Sequence, residues 1–224
     1  MVRCIQKLYA AGRRLALILV VLPALAFSRP LQVELNRIHR EVEREQIESG
    51  YRVRLGVYIN AMNPRKDALQ KGELLDELLL GAHRLQIPPG FEIDGEPVVP
   101  IYFLAALVAV ESSFRQEAHS HADARGYMQL LPSTVAWMNA NLGDEDDPTL
   151  LFQTRVNIKQ GVRYLNYLIH EMNDIRLVCL AYNAGPGNVR RGYWVERYWT
   201  KILSAYRDIR DGGYLVQDQN PVVL

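Results

Sequence analysis

Apolar residues recur at helical spacing along most of the chain, and this pattern predicts a mainly α protein. A charged segment over 31–48 carries apolar residues three to five positions apart, which predicts an amphipathic helix that ends at Gly50. These apolar positions are Leu31, Leu35, Ile38, Val42 and Ile47. Residues 51–59 alternate partly between apolar and basic side chains, which favours a strand. A further helical pattern follows Pro64, and its apolar face contains Leu69, Leu74, Leu75, Leu78 and Leu79.

A loop rich in Pro and Gly, near residues 88–97, predicts a boundary between two parts of the chain. We expect residues 29–97 to be an N-terminal helical extension of unknown role and residues 98–210 to form the main domain, followed by a tail at 211–224. The segment Ile101–Val110 contains no polar side chain except one tyrosine hydroxyl. It is too short to span a membrane, so it predicts a helix buried on all sides.

The first 28 residues have the layout of a secretory signal peptide. Four basic residues, Arg3, Lys7, Arg13 and Arg14, precede an apolar stretch at Leu15–Phe27 that contains an Ala-x-Ala pattern. The stretch has 13 residues, whereas a membrane span needs about 20. We therefore expect export to the periplasm or cell envelope, with an uncleaved membrane anchor as the alternative.

Composition narrows the classes of protein further. The chain has 224 residues, of which 49% are hydrophobic and 23% charged, and this balance excludes a disordered chain. A net charge of +1 excludes a strongly basic nucleic-acid binder. Removal of the signal peptide would leave a single cysteine, Cys179, which cannot form an internal disulfide and is expected to be a buried small hydrophobe. His119 and His121 lack a third ligand nearby, so we expect neither a metal nor a cofactor.

Glu111 directly follows the apolar segment and is the first candidate for chemistry. Burial of a carboxylate is costly unless the group is paired or protonated, and apolar surroundings raise its pKa. A carboxylic acid that stays protonated near neutral pH is suited to general acid catalysis. The alternative is that Glu111 only marks the point where the helix reaches the surface, and from this residue alone the alternative is favoured.

Five short motifs change that balance, because they follow one another in a fixed order. They are Glu111-Ser112 with Phe114, Ala118-His119-Ser120, Gly126-Tyr127-Met128-Gln129 before Pro132, Asn157-Ile158 with Gly161 and Tyr164-Leu165, and Ala181-Tyr182-Asn183-Ala184-Gly185. Over about residues 98–195 the chain thereby resembles the lytic transglycosylase family, whose domain is related to goose-type lysozyme. Two positions depart from the family pattern: Asp123 stands where Gly is common, and Tyr127 stands where Leu is usual.

The resemblance implies a lysozyme-like helical domain and a role for each motif residue. Glu111 is implied to be the general acid and base, and Ser120 to bond near the catalytic carboxyl or the substrate, with a loop cap as the equal alternative. Gln129 is implied to contact the sugar or orient the glutamate. The Tyr182 hydroxyl is expected to reach Glu111. Asn183 is placed with the substrate-binding residues, although capping of the following turn is slightly favoured for it.

The implied activity is cleavage of the β-1,4 bond between N-acetylmuramic acid and N-acetylglucosamine, with formation of 1,6-anhydromuramic acid. One rival is a muramidase that hydrolyses the same bond with water, and another is a non-catalytic module that binds peptidoglycan in an envelope assembly. We expect a monomer that acts on peptidoglycan glycan strands and does not bind nucleic acid. Residues 29–97 are the candidate contact for an envelope protein partner.

Overall fold

The computed structural model describes residues 2–143 and 146–212, and for residues 2–28 and 30 it describes the backbone alone. Helices dominate these residues, which confirms the prediction of a mainly α protein. The helices are α1 (Val2–Met62), α2 (Ala68–Arg84), α3 (Pro100–Ser112), α4 (Pro132–Leu142), α5 (Thr154–Glu171), α6 (Ile175–Ala184), α7 (Pro186–Arg190) and α8 (Glu196–Asp211), with a 3₁₀ helix at Pro148–Leu150. Two short antiparallel strands, β1 (Glu92–Ile93) and β2 (Glu96–Pro97), form a hairpin.

The chain divides into two compact units, with the division after Gly50. In the first unit, residues 31–48 are helical, as their apolar spacing predicts. The signal peptide assigned to residues 1–28 lies outside the described side chains, and the tail at 211–224 lies largely outside the described residues, so both remain predictions. In the part of the chain that the structure describes, no helix has the length and apolar character needed to cross a membrane.

The structure corrects the prediction for residues 50–59. The helix does not end at Gly50, and the strand predicted for 51–59 is wrong, because α1 continues to Met62. Leu55 and Ile59 are completely buried, and the nearby Tyr58 is almost completely buried. These positions are spaced for one face of a helix, and the partial alternation that favoured a strand came from Arg52 and Arg54, which lie on either side of that face.

The second compact unit begins at Tyr51, well before the boundary predicted at residue 97. Its α2 begins at an Asp67 N-cap, whose carboxylate accepts hydrogen bonds from the backbone N–H groups of Leu69 and Gln70 at 2.8 and 3.2 Å. This helix packs against α3 and α5. At Gly81 a Cβ atom would meet a Leu104 side-chain carbon at 2.9 Å, so the helices approach closely only because that residue has no side chain.

Helix α3 is buried on nearly all sides, as the apolar run predicts, and it packs against α2 and α8. Pro100 begins the helix at a position where a missing N–H costs nothing. The hairpin before it turns at Asp94 and Gly95, and the Asp94 carboxylate forms ion pairs with Arg207 and Arg210 of α8. Helix α8 therefore holds α3 in place, and the C-terminal end of α3 fixes the position of Glu111.

Candidate active site

Glu111 lies in the last turn of α3 and is partly buried. The helix ends one residue later, at Ser112, and the next two residues, Ser113 and Phe114, have φ angles of 50° and 58°. Two successive non-glycine residues in the left-handed region are uncommon, and they turn the chain sharply away from the helix axis. Phe114 is fully buried and its carbonyl accepts a hydrogen bond from Asn63 Nδ2 at 3.2 Å. The burial of Phe114 and its hydrogen bond from Asn63 therefore fix the direction of the chain after α3.

Burial raises the pKa of Glu111 to about 7, from an ordinary value of 4.5. Tyr198 of α8 donates a hydrogen bond from its hydroxyl to Glu111 Oε1 at 2.5 Å, which acts in the opposite direction by favouring the carboxylate. The positive charge of Lys201 also lowers this pKa. The result is a carboxyl group that can hold or release a proton close to neutral pH.

A cleft of about 470 Å³ opens at Glu111. All five residues singled out from the sequence line this cleft: Glu111, Ser120, Gln129, Tyr182 and Asn183. Its other walls include Leu131 and Thr134 at the start of α4, and Tyr164 of α5. Among the described residues that line it, Glu111 is the sole carboxylate, because Glu117 is exposed and lies outside the lining.

Ser120 lies in a loop at residues 118–131 that forms the wall opposite the end of α3. Its hydroxyl accepts a hydrogen bond from the backbone N–H of Ala124 at 3.0 Å, while the two backbones pair through Ser120 N–H and the Ala124 carbonyl at 2.9 Å. The loop-cap alternative is therefore present in the structure. The residue also faces the cleft, so its hydroxyl proton remains available there.

Gln129 supports the same loop from inside. Its side-chain nitrogen donates hydrogen bonds to the carbonyls of Ala118 and Gly126, each at 2.9 Å. Its backbone has a φ of 46°, a left-handed conformation that the two hydrogen bonds help to maintain. No described hydrogen bond joins Gln129 to Glu111, so its observed contacts shape the loop.

Asn157 of α5 is the main support behind the loop, and it is fully buried. Its Nδ2 donates to the carbonyls of Arg125 and Leu151 at 2.8 and 2.7 Å, and its Oδ1 accepts from the Met128 N–H at 2.8 Å. Gly126 lies directly against it, since a Cβ atom there would meet Asn157 Nδ2 at 2.3 Å. The sequence motif contained Asn157, but its role became visible only with the fold.

Tyr127, the position where the family usually has Leu, has an unusual partner. Lys66 is buried at 8% exposure, and its Nζ donates to the Tyr127 hydroxyl at 2.5 Å. The same ammonium lies 4.7 Å from the centre of the tyrosine ring. Burial lowers the pKa of Lys66 and raises that of Tyr127. This contact joins the segment before α2 to the loop at 118–131.

The sequence predicted that the Tyr182 hydroxyl reaches Glu111, but no described hydrogen bond joins the two residues. Tyr182 donates instead to the carbonyl of Met128 at 2.7 Å, which ties α6 to the loop. The hydroxyl that reaches Glu111 belongs to Tyr198, which lies outside the five sequence motifs. The available signal was the amphipathic pattern of α8, which buries Tyr198, Ile202 and Tyr206 on one face.

Asn183 is exposed in the cleft at the end of α6. Capping of the following turn was slightly favoured for it, yet within the described residues its side chain makes no hydrogen bond. The helix is instead closed by Gly185, whose N–H bonds the Ala181 carbonyl at 2.8 Å and whose φ is 83°. The amide of Asn183 is therefore free to contact a ligand.

Other candidate groups do not form a metal site in the described residues. His119 pairs with Asp123 at 2.7 Å, and Arg125 holds the same carboxylate at 2.8 Å. Residues 144–147 form an acidic run in the sequence, of which residues 144 and 145 lie outside the described residues. Asp147 caps the 3₁₀ helix through the Thr149 N–H at 2.8 Å.

The segment that forms the site is similar in sequence to known proteins. Residues 92–201 match the sequence model of the Transglycosylase SLT domain. The putative soluble lytic murein transglycosylase of Haemophilus influenzae is 39% identical over 106 residues, which cover 45% of this chain and 17% of that protein. The soluble lytic murein transglycosylase of Salmonella typhimurium is 32% identical over 91 residues, which cover 39% of this chain and 14% of that protein. The matched segment is thus a small part of each relative's length.

A solved structure, the 70 kDa soluble lytic transglycosylase of Escherichia coli, aligns with a TM-score of 0.47 and 22% identity. That alignment covers 60% of this chain and 24% of the other. The resemblance to lytic transglycosylases found in the sequence is confirmed by this family model and by these relatives.

Proposed function

We propose that this chain is a peptidoglycan lytic transglycosylase in which Glu111 serves as the single general acid and base. The observation that supports this most directly is the placement of one partly buried carboxyl, with a pKa near 7, as the sole described carboxylate in the cleft lining. Glycosidases that use water generally need a pair of carboxylates on opposite sides of the bond. A site with one acid favours a reaction in which the same group acts twice.

In the first step, protonated Glu111 donates its proton to the glycosidic oxygen as the bond to the anomeric carbon of N-acetylmuramic acid breaks. The substrate's own acetamido group stabilises the positive charge that develops at that carbon. In the second step, ionised Glu111 removes the proton of the C6 hydroxyl, and that oxygen bonds to the anomeric carbon. The product is a 1,6-anhydro sugar, water is not consumed, and Glu111 regains its proton.

The surrounding residues have distinct proposed tasks. Tyr198 fixes the orientation of the Glu111 carboxyl and stabilises its ionised form between the two steps. Asn183 and the Ser120 hydroxyl face the cleft and are the proposed contacts for the sugar. Gln129 and Tyr182 hold the loop in place and also line the cleft, so both contribute to substrate binding through the shape of that wall.

The substrate lies in the cell envelope, so this function requires export, which residues 1–28 are predicted to direct. A contact with an envelope protein partner through residues 29–97 also remains a prediction. Residues 51–62 and α2 pack into the core, so such a contact would involve their exposed faces or residues 29–50.

The test is a digest of purified peptidoglycan sacculi, with released fragments identified by mass spectrometry. The wild-type chain should release fragments ending in 1,6-anhydromuramic acid, and Glu111→Gln should release none. Glu117→Gln is the matched control, because Glu117 is an exposed carboxylate six positions away and outside the cleft lining. It should give wild-type products.

Two results would contradict the proposal. Fragments with ordinary reducing ends, heavier by one water, would establish a muramidase that hydrolyses the bond. Tight binding of sacculi with no released fragment from the wild-type chain would establish a binding module.

A further inference from the structure

The connector between α1 and α2 contacts both walls of the cleft, although it lies well before the family match at residues 92–201. It forms a tight turn at residues 63–66, in which the Lys66 N–H donates to the Asn63 carbonyl at 3.2 Å. Pro64 is the second residue of this turn, where its fixed φ angle is favourable. The turn therefore has little conformational freedom, and the side chains at its two ends are held at a set separation.

Each end of the turn holds one wall of the cleft. Asn63 Nδ2 donates to the carbonyl of Phe114 at 3.2 Å, just beyond the end of α3. Lys66 Nζ donates to the Tyr127 hydroxyl at 2.5 Å, in the opposite loop. Tyr127 is fully buried, and it lies two residues from Gln129, which lines the cleft. A displacement of the turn would therefore move the loop relative to the end of α3.

Lys66 is an unusual residue for a purely structural contact. Its side chain is buried, and among the described residues the Tyr127 hydroxyl is its single hydrogen-bond acceptor and no carboxylate forms an ion pair with it. Burial lowers the pKa of Lys66, although the charges of Glu117 and Glu73 act in the opposite direction. A buried ammonium with one acceptor is costly, so stability alone does not account for this residue.

We propose that Lys66 is a positioning residue for the reaction at Glu111, and that the turn at 63–66 links the two walls of the cleft. The ammonium holds the Tyr127 hydroxyl and thereby the loop at 118–131, while Asn63 holds the chain after α3. Lys66 does not belong to the described lining of the cleft, so it acts through Tyr127. This inference rests on the proposed function, because it concerns the geometry of the same site.

The experiment measures fragment release over a series of sacculus concentrations, which separates the maximal rate from the half-saturating concentration. Lys66→Met keeps the apolar stem and removes the ammonium. The half-saturating concentration should increase by about tenfold, as expected for loss of a hydrogen bond from a charged group. The maximal rate should change little, because Glu111 and Tyr198 keep their contact.

Arg65→Met is the matched control, because it removes a cation from the same turn. Arg65 is exposed, and within the described residues its side chain makes no hydrogen bond or ion pair. This variant should have wild-type kinetics. If Lys66→Met does not fold, Tyr127→Phe takes its place, since it removes only the acceptor hydroxyl and should increase the half-saturating concentration in the same way.

Two double variants test the link itself. Tyr127→Leu leaves the ammonium without its acceptor, whereas Lys66→Met with Tyr127→Leu replaces the whole pair by apolar side chains and should recover most of the lost binding. Asn63→Ala should also increase the half-saturating concentration. Asn63→Ala with Lys66→Met should be little worse than the more affected single variant, because a link fails when either end is lost.

A merely structural role for Lys66 would lower the maximal rate in proportion to the unfolded fraction and leave the half-saturating concentration unchanged. That result would overturn the assigned role. Wild-type kinetics for Lys66→Met, no recovery in the apolar pair, or additive losses with Asn63→Ala would also overturn it, while fragments released by the wild-type chain would leave the proposed function intact. Absence of fragments from the wild-type chain would contradict the proposed function, and the role of Lys66 with it.

Discussion

The two walls of the cleft are built on opposite principles. At the end of α3, the Glu111 carboxylate has one described side-chain hydrogen bond, from Tyr198, and the positive charge of Lys201 nearby, but burial disfavours its charge more strongly. In the loop at 118–131, nearly every polar group used in the site is hydrogen bonded, chiefly through Asn157, Gln129 and backbone pairs. Burial keeps solvent from the Glu111 carboxylate and so raises its pKa towards neutral pH, which makes the group reactive. The loop at 118–131 has a fixed shape because its polar groups are hydrogen bonded.

The largest expected effect comes from removal of the acid. Glu111→Gln keeps the size of the side chain but cannot donate a proton, so the rate of peptidoglycan cleavage should fall by about 10³-fold or more. The wild-type rate should itself fall as the pH rises above about 7, because Glu111 loses its proton there. Loss of sacculus turbidity across a pH series measures both effects. A Glu111→Gln rate within tenfold of wild type would remove this residue from the mechanism.

The next largest effect is expected when the hydrogen bonds that support the loop at 118–131 are removed. Asn157→Ala removes the described partner of the buried Leu151 carbonyl and of the Met128 N–H, while the Arg125 carbonyl keeps its bond from the Leu130 N–H. The change should lower the free energy of unfolding by about 3 kcal/mol. Denaturant titration measures this change. Asn166→Ala is the control, because Asn166 lies on the same helix and also makes two backbone hydrogen bonds, but at the surface. Similar losses in the two variants would show that the loop does not depend on Asn157.

A third expected effect is a dependence of the free energy of unfolding on pH that comes from Glu111 and not from the loop at 118–131. The pKa of Glu111 is higher in the folded chain than its ordinary value, so ionisation favours the unfolded state as the pH rises from about 4.5 to about 7. Glu111→Gln removes that cost. It should raise the free energy of unfolding by about 2 kcal/mol at pH 8 and leave it unchanged at pH 4. The increase expected at pH 8 allows for screening by solvent in the open cleft.

Glu117→Gln is the control, because Glu117 is an exposed carboxylate outside the cleft lining. Unfolding curves for both variants at the two pH values make the comparison. A stabilisation by Glu111→Gln that is equal at both would mean that packing, and not desolvation of the charge, is responsible.

The smallest effect concerns the single hydrogen bond at the acid. Tyr198→Phe removes a donor that lowers the pKa of Glu111, so the alkaline limb of the pH–rate profile should move to higher pH. The maximal rate should fall by about tenfold, since hydrogen bonds to charged groups contribute about 1.5 kcal/mol. A purely structural loss would lower the rate without moving the limb, and a shift to lower pH would reverse the assigned role. Exposed Tyr193→Phe serves as the control.

The sequence predicted the buried helix that ends at Glu111, but not the residue that forms a hydrogen bond with Glu111. The apolar run before Glu111 was enough to predict a buried helix with a carboxyl at its end, because burial on all sides leaves a clear pattern. The partner of Glu111 was missed because Tyr198 is 87 positions away, and its burial pattern resembles that of any core tyrosine. Long-range hydrogen bonds of this kind leave no periodic signal.

For the loop, the motifs located the right residues but not always their contacts. Gln129 and Ser120 came into the cleft as expected, while most of their described hydrogen bonds hold the loop itself. The strand predicted for 51–59 was wrong because Arg52 and Arg54, which flank the buried face of a helix, produced an alternation like that of a strand. Its apolar residues are spaced for helix, and that spacing determines the fold when a core is available.

The deep packing of residues 51–84 sets the limits of what can be exchanged between proteins. The family match begins at residue 92, yet Leu55, Ile59, Leu74 and Leu78 are completely buried in the same core as α3. A graft cut at the family boundary would leave one side of α3 and α5 without cover. For chimeras built from this chain, the transferred segment must begin near Tyr51, about forty residues before the start of the family match.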